Sequence, residues 1–333
     1  MVIFTKLRKK IFPINKFMKI SVIITTYNRK HKLSRLIESI LTSDLERKDY
    51  EIIVVDDFST DGTIDLIKQK FASTYNLRVI EKKENKKKSH SVNLGVRESR
   101  GDYLFFIDDD TIVDKNTIRE LYSYLVNNKG NLFVCPIMYF FDNKEKIWSA
   151  GLKMNLWTTI GNFIYLKKID DGKLEKEVDI DGGVTSFMVP KRIFSEIGFF
   201  NEKLFPFQFE ELDYCVRANF GGYKLKTITT AKLWHDHEYG IFLNNPWRLY
   251  FAARNRTISA KLWSKNGFQI FVSQLFSIAI SISYLGIKLI FFREKYWEGV
   301  KSIFKGIKDG LKMSSSLTPY YKRDIEALKE EVF

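Results

Sequence analysis

The sequence is short of cysteine, with two in 333 residues, Cys135 and Cys215, each inside an apolar run. Two thiols without a CxxC spacing exclude a disulfide framework and a zinc knuckle, and both are expected as buried thiols of a reducing compartment. Glycine is missing where a phosphate-binding loop would need it. The turn after the first apolar strand reads "TTYNRKHK", and no GxxxxGK[ST] occurs. A GxGxxG dinucleotide turn and a P-loop are therefore excluded, because both hold phosphate on glycine-rich backbone at a helix N-terminus. Acid is missing from residues 1–19, which carry Lys6, Arg8, Lys9, Lys10, Lys16 and Lys19. The same segment lacks the unbroken apolar core and small-residue cleavage site of a secretory signal, so cytoplasmic residence is expected. The apolar run Leu275–Ile287 is too short to span a bilayer comfortably.

What the sequence does have is a net charge of +14, lodged largely in its flanks: residues 1–19, and Lys288 to Lys312. Basic flanks with interleaved aromatics suit nucleic acid or an anionic membrane surface. With no helix-turn-helix or RNP-type motif, no nucleic-acid partner is expected. The stretch "KYWEGVKSIFKGIKDGLK" puts Trp297, Val300, Phe304, Ile307 and Leu311 on one helical stripe, with Lys301, Lys305, Lys308 and Lys312 off it. That amphipathic pattern favours peripheral association at the inner face of the cell membrane.

Between the flanks, apolar strands alternate with helical stripes. "ISVIITTYN", "EIIVVDD", "LRVIEKK" and "DYLFFIDDD" read as strands. Leu33, Leu36, Ile37, Ile40 and Leu41 mark the first helix, and Ile64, Ile67 and Phe71 the second. A third is expected from about Ser91 to Ser99 and a later one from about Glu210 to Phe220. This alternation predicts a Rossmann-like, mostly parallel sheet flanked by helices, an α/β fold with a helical basic tail. In such sheets ligands bind beyond the carboxyl ends of the strands, and here those ends are polar or acidic. Residues 131–190 are strand-rich, and Gly182 and Gly183 mark a close backbone approach.

The strand end "FFIDDDTIV" raises the central question. Asp108, Asp109 and Asp110 repel one another and lose hydration against an apolar strand, so a positive charge is expected beside them. The spacing Asp108-x-Asp110 supplies hard oxygen ligands for magnesium or manganese, which would let carboxylates and phosphates share one cation. An ordinary turn or helix cap is the competing reading, and Asp56 and Asp57 equally serve to open the "STDGT" turn. Glu210 and Glu211 could be first-turn acids placed by the helix dipole. A strand over "KTITTAKLWHDHEYG" puts His235 and His237 on one side, either of them a candidate metal ligand.

In this order, "SVIITTYNR", "EIIVVDDFSTDGT", "NLGVRESRGDYLFFIDDDTIV", "GFFNEKLFPFQFEELDYCVRANFGGYK", "LWHDHEYG" and "RLYFAARNRTI" resemble the family 2 inverting glycosyltransferases of GT-A fold, in the rhamnosyl- and galactofuranosyltransferase-like branch. The resemblance covers roughly residues 19–260. It implies a basic extension at 1–18, a nucleotide-sugar-binding half at 19–112, an acceptor-binding and catalytic half at 113–240, and a helical, membrane-associating region at 241–333. It implies that Thr25 and Tyr27 line base and ribose, with Asp57 accepting from the ring N–H and Asp56 beside it. Asp108 would contact ribose or metal, Asp110 would coordinate a divalent manganese or magnesium, and His235 would complete the shell. Glu211 would be the general base, with Glu210 kept open because Asp is usual at the second position. Where the family often has Arg before the Asn of its third helix, this chain has Val92, and Lys86 to Lys88 are candidates to replace it. The implied donor is a UDP- or dTDP-sugar, and the implied acceptor a saccharide or lipid-linked saccharide of surface glycan assembly. A sugar-phosphate nucleotidyltransferase and a non-catalytic membrane or nucleic-acid binder are the competing classes.

Overall fold

Apolar side chains of strand β1 (Ile20–Thr26) point alternately to two cores, Val22 and Ile24 into one and Ile23 into the other. A strand buried on both faces needs helices on both sides of the sheet. The structure, a computed structural model, describes residues 18–128, 130–183, 185–236, 245–290 and 295–320. The basic extension up to residue 17 and the candidate ligand His237 lie outside the described residues.

β1 lies between β2 (Tyr50–Asp56) and β4 (Tyr103–Asp108), parallel to both, and β3 (Leu77–Glu81) continues in parallel beyond β2. Past β4 the ten-stranded sheet becomes mixed. Short β5 (Thr111–Val113) pairs with β12 (Lys224–His235), which runs parallel to β6 (Leu132–Phe140), and β7 (Ile147–Ser149) pairs with β6. β8 (Leu152–Asn155) and β9 (Ile160–Phe163) form a separate hairpin. β10 (Glu177–Ile180) edges the sheet, and β11 (Phe187–Pro190) bridges β4 and β6, antiparallel to both. The expected α/β class is the observed one, and the order of strands carries it unbroken across residue 112.

One core holds the stripe of α1 (Lys30–Leu41), with Ile67 of α2 (Thr63–Lys70) and Leu121 of α4 (Thr117–Asn127). The other holds Val92 and Val96 of α3 (Lys87–Glu98), Phe194 of the single turn α5 (Ile193–Glu196), and Tyr214 and Cys215 of α6 (Glu210–Phe220). Helix α3 begins four residues before the expected Ser91. Its cap comes from the turn just after β2: the Asp57 carboxylate accepts the backbone N–H groups of Lys86 at 2.9 Å and Lys87 at 3.0 Å. The close approach at Gly183 is to Cys135, whose sulfur lies 2.5 Å from where a Cβ would stand. Both cysteines are free and buried.

After the sheet come α7 (Pro246–Leu262), α8 (Gly267–Ile290) and α9 (Tyr296–Ser315). Helix α9 turns Ile303, Gly306, Ile307 and Gly310 onto α7. The approach is so tight that a Cβ on Gly306 would stand 2.4 Å from the Tyr250 carbonyl. The expected apolar stripe therefore divides, with Ile307 packed inward while Trp297, Phe304 and Leu311 stay exposed. No helix among the described residues is long and apolar enough to cross a membrane.

Candidate active site

The carboxyl ends of β1, β2 and β4 open into a cleft of about 880 Å³, closed on its far side by the start of α6 and by α7. Thr25 pairs in register with Asp108 and Thr26 with Asp56, so the polar ends meet along one rim. Two cations, Arg29 and Lys88, meet the acidic triplet directly through salt bridges. Arg29 donates to Asp110 at 2.8 Å and lies 3.9 Å from Asp109. Lys88 sits 2.6 Å from both Asp108 and Glu211 and 3.6 Å from Glu210. Lys88 is one helical turn before Val92, so it occupies the same face of α3 as the position where the resemblance implies arginine.

These contacts sort the carboxyl groups. Burial pushes Asp108 up to about 6 against the opposing charge of Lys88. Burial likewise pushes Asp109 up to about 7, against the charge of Arg29 and the hydrogen bond from Thr26. For Asp110 burial is overcome by His235, Arg29 and Lys32, which hold its carboxyl well below the usual range. Burial disfavours the Lys88 cation, yet the three surrounding carboxylates raise it well above an ordinary lysine.

Glu210 is buried, and burial together with the charge of Glu211 pushes it up to about 8 despite Lys88. An acid whose folded pKa exceeds its ordinary 4.5 contributes stability below that value, and the contribution disappears as pH rises to about 8. Glu210→Gln is therefore expected to leave thermal stability nearly unchanged at about pH 5 and to raise it at about pH 9. Thermal melts of the two proteins at both pH values check this, and an equal shift at both would contradict it.

The predicted residues do not all reach the cleft. Thr25, Tyr27, Asp57, Asp108, Asp110, Glu210, Glu211 and His235 line it. Asp56 lies beneath, its carboxylate accepting the Ser59 N–H at 2.9 Å and thereby forming the turn. Asp57 faces the cleft but also pairs with Lys82 and caps α3. His235 Nε2 stands 3.2 Å from Asp110 Oδ1. Its ring is held edge-on by Trp148 at 4.7 Å, and Trp148 in turn meets Phe163 at 5.3 Å.

Several residues here are invisible to pattern reading. Gln208 and Phe209 adopt left-handed backbone, with φ of 62° and 66°, immediately before the two glutamates. Two successive side-chain-bearing residues in that region need external support. Asn255 of α7 provides it, donating to the carbonyls of Phe207 at 2.9 Å and Gln208 at 2.8 Å. Arg254 donates to the Leu204 carbonyl at 2.7 Å. The "RN" of "RLYFAARNRTI" thus positions the loop that aims Glu210 and Glu211. Arg248 lines the cleft with its guanidinium 5.2 Å over the Phe207 ring. Burial, then the nearby Arg29 charge, lower its pKa against the pull of Asp110, and among the described residues no carboxylate pairs with it. Arg248 opens the motif "RLYFAARNRTI" but follows no apolar period, so its place on the cleft wall is what gives it a role.

A largely parallel sheet without a glycine-rich turn, with acids at its strand ends, is the expected GT-A architecture, and related proteins share it. The profile described as Glycosyl transferase family 2 matches residues 21–195, more than half of the chain, and the protein belongs to that family. Among its relatives is the poly(ribitol-phosphate) beta-N-acetylglucosaminyltransferase TarP of Staphylococcus aureus, 34% identical over 118 residues. That match spans 35% of this chain and 36% of TarP. The fold is shared with the S. aureus TarS structure in complex with UDP-GlcNAc, at TM-score 0.58 and 17% identity, over 90% of this chain and 84% of that one. It is shared also with GalNAc-T7 crystallised with UDP, GalNAc and Mn2+, at TM-score 0.64 and 15% identity, over 90% and 58% of the two chains.

Proposed function

We propose that the protein is an inverting glycosyltransferase that moves a sugar from a nucleoside-diphosphate sugar, with UDP favoured as the nucleotide, to a saccharide or lipid-linked saccharide. The observation that carries this is Lys88, which ties Asp108 at the end of β4 to Glu211 at the start of α6 within one cleft. The donor preference is supported by the UDP-GlcNAc bound in the TarS complex. The TarP name gives a poly(ribitol-phosphate) as the acceptor of that relative, which supports a polyhydroxylated polymer as the acceptor class here.

The residues suit a single in-line displacement. Thr25 and Tyr27 would bound the base and ribose, with Asp57 accepting from the ring N–H. The acceptor hydroxyl oxygen attacks the anomeric carbon as the bond to the diphosphate oxygen breaks on the opposite face. Glu211 takes the hydroxyl proton, and its pairing with Lys88 fixes where its carboxylate points. Glu210, which burial keeps protonated near neutrality, is the weaker candidate for base. Arg248 would meet the departing diphosphate, since a half-buried cation without a carboxylate calls for an anionic ligand.

Among the described residues no group of three or more His, Cys, Asp and Glu already forms a metal cage. Two candidate ligands do fit one: Asp110 Oδ1 is buried with no aligned hydrogen-bond donor and stands 3.2 Å from His235 Nε2. A carboxylate oxygen with an imidazole nitrogen suits manganese better than magnesium, which prefers oxygen ligands alone, with Asp108 as a further oxygen donor. When bound there, the divalent ion would act as a Lewis acid toward the leaving diphosphate. Peripheral residence at the inner face of the cell membrane fits a lipid-linked acceptor.

A panel of nucleotide sugars with manganese, scored for donor hydrolysis, tests the reading. Nucleoside diphosphate is the expected product, and Asp110→Ala is expected to abolish its release while leaving the far-UV spectrum unchanged. Release of pyrophosphate would instead indicate a nucleotidyltransferase. Full activity of Asp110→Ala in chelator would end the metal assignment.

A further inference from the structure

Helix α8 is built inside out. Its inward face carries Gln269, Ser273, Ser277 and Ser281, all buried. Its outward face carries Phe268, Phe271, Leu275, Phe276 and Ile282, with Phe268 at 70% and Phe271 at 62% exposed. The two sets recur at three- and four-residue spacing on opposite sides of the helix. A helix on a water-facing surface places these residues the other way round. The inward hydroxyls are used: Ser273 donates to the Leu156 carbonyl at 3.1 Å, and Ser281 to the Ser277 carbonyl at 2.7 Å. The apolar face extends sideways, because Trp157 beside the β8–β9 hairpin meets Phe268 edge-on at 6.0 Å. It also reaches the cleft, whose wall includes Ile280 of the same helix.

The geometry points to an anionic lipid bilayer as the partner of this face, with α8 lying in the interface and its phenylalanines among the acyl chains. Charge selects that occupant. No Asp or Glu occurs from Gly267 to Ile290, Lys265 is exposed just before the helix, and the neighbouring α9 exposes Lys301, Lys305, Lys308 and Lys312. Apolar side chains flanked by lysine match acyl chains flanked by anionic headgroups. From Phe268 to Ile282 the helix runs about 21 Å, long enough to lie along a surface. The membrane-binding element is thus α8, while the amphipathic α9 spends its inward face on α7 and supplies charge. This surface rests on the glycosyltransferase reading only for its consequence, that a lipid-linked acceptor would meet the cleft at Ile280.

The full chain is tested by co-sedimentation with vesicles of phosphatidylcholine alone and of phosphatidylcholine with phosphatidylglycerol. Sedimentation with the anionic vesicles is expected, weakened by salt. The double substitution Phe271→Ser and Phe276→Ser should lower the partition at least about tenfold, since each removes an inserted aromatic ring. Donor hydrolysis in vesicle-free buffer should stay at the parent level. Equal partition of parent and variant would overturn the assignment, as would an intact parent that stays in the supernatant. A parent oligomer that the double variant dissolves into monomers would overturn it too, by showing that a second copy covers the face. Vesicle binding with no donor hydrolysed would count against the transferase reading alone.

Discussion

Lys88→Met is expected to lower kcat/KM for glycosyl transfer by roughly two to three orders of magnitude. Lys88 is the one cation within 4 Å of Asp108, Glu210 and Glu211 among the described residues. Removing one partner of a fully buried ion pair costs about 3–5 kcal/mol, because the remaining charge is left uncompensated, and a bridge whose side chains are 18–21% exposed belongs at the lower end of that range. At about 1.4 kcal/mol per factor of ten, that is the size of the loss if the cost falls on the reacting arrangement. Here three acids are stranded together, so one or more must take up a proton or swing away, and either change removes the base from its place. Lys88→Arg keeps the charge on the same helical face and should retain activity within about tenfold. Steady-state kinetics with the preferred donor decide it. A Lys88→Met protein within threefold of the parent would show that the bridge has no part in transfer.

Asp213→Ala should produce the largest loss of stability, about 3–5 kcal/mol by chemical denaturation. Asp213 is fully buried and accepts from Arg217 at 3.0 Å, Trp263 at 3.2 Å and Tyr320 at 2.6 Å. One carboxylate thus joins α6, the end of α7 and the segment after α9. Alanine would leave the Arg217 guanidinium buried without its counter-charge, held by the carbonyls of Ile197 and Phe199 and by the face of the Tyr214 ring. Tyr320→Phe removes a single neutral donor to that carboxylate and should cost only about 1–3 kcal/mol. Comparable losses for the two substitutions would mean that the buried charge is not what holds the helices together.

Legibility of the chain follows the range of the interactions. Helix α6 begins at the expected Glu210 because its determinants, a first-turn acid cluster and a closing glycine pair, are local. The alternation of β1 and the stripe of α1 are legible for the same reason, since a period along the chain reports a face. Helix α3 defeats that reading at its start, because its cap is a carboxylate 29 and 30 residues away. Only the assembled sheet puts Asp57 there. Of the candidates Lys86 to Lys88, only the structure singles out Lys88 at the centre of the site, and no local pattern marks Lys82 as the partner of Asp57.

By itself, then, the sequence determined the class of sheet, the strand ends that carry acid and the order in which those ends occur, because hydrophobic period and residue type act over a few neighbours. Tertiary structure alone decided which cation meets which acid, that Asn255 steadies the left-handed turn before Glu210, and that α8 turns its phenylalanines outward. Those outcomes depend on side chains far apart in sequence sharing a few ångströms of space, where charge and burial set energies that no local pattern records.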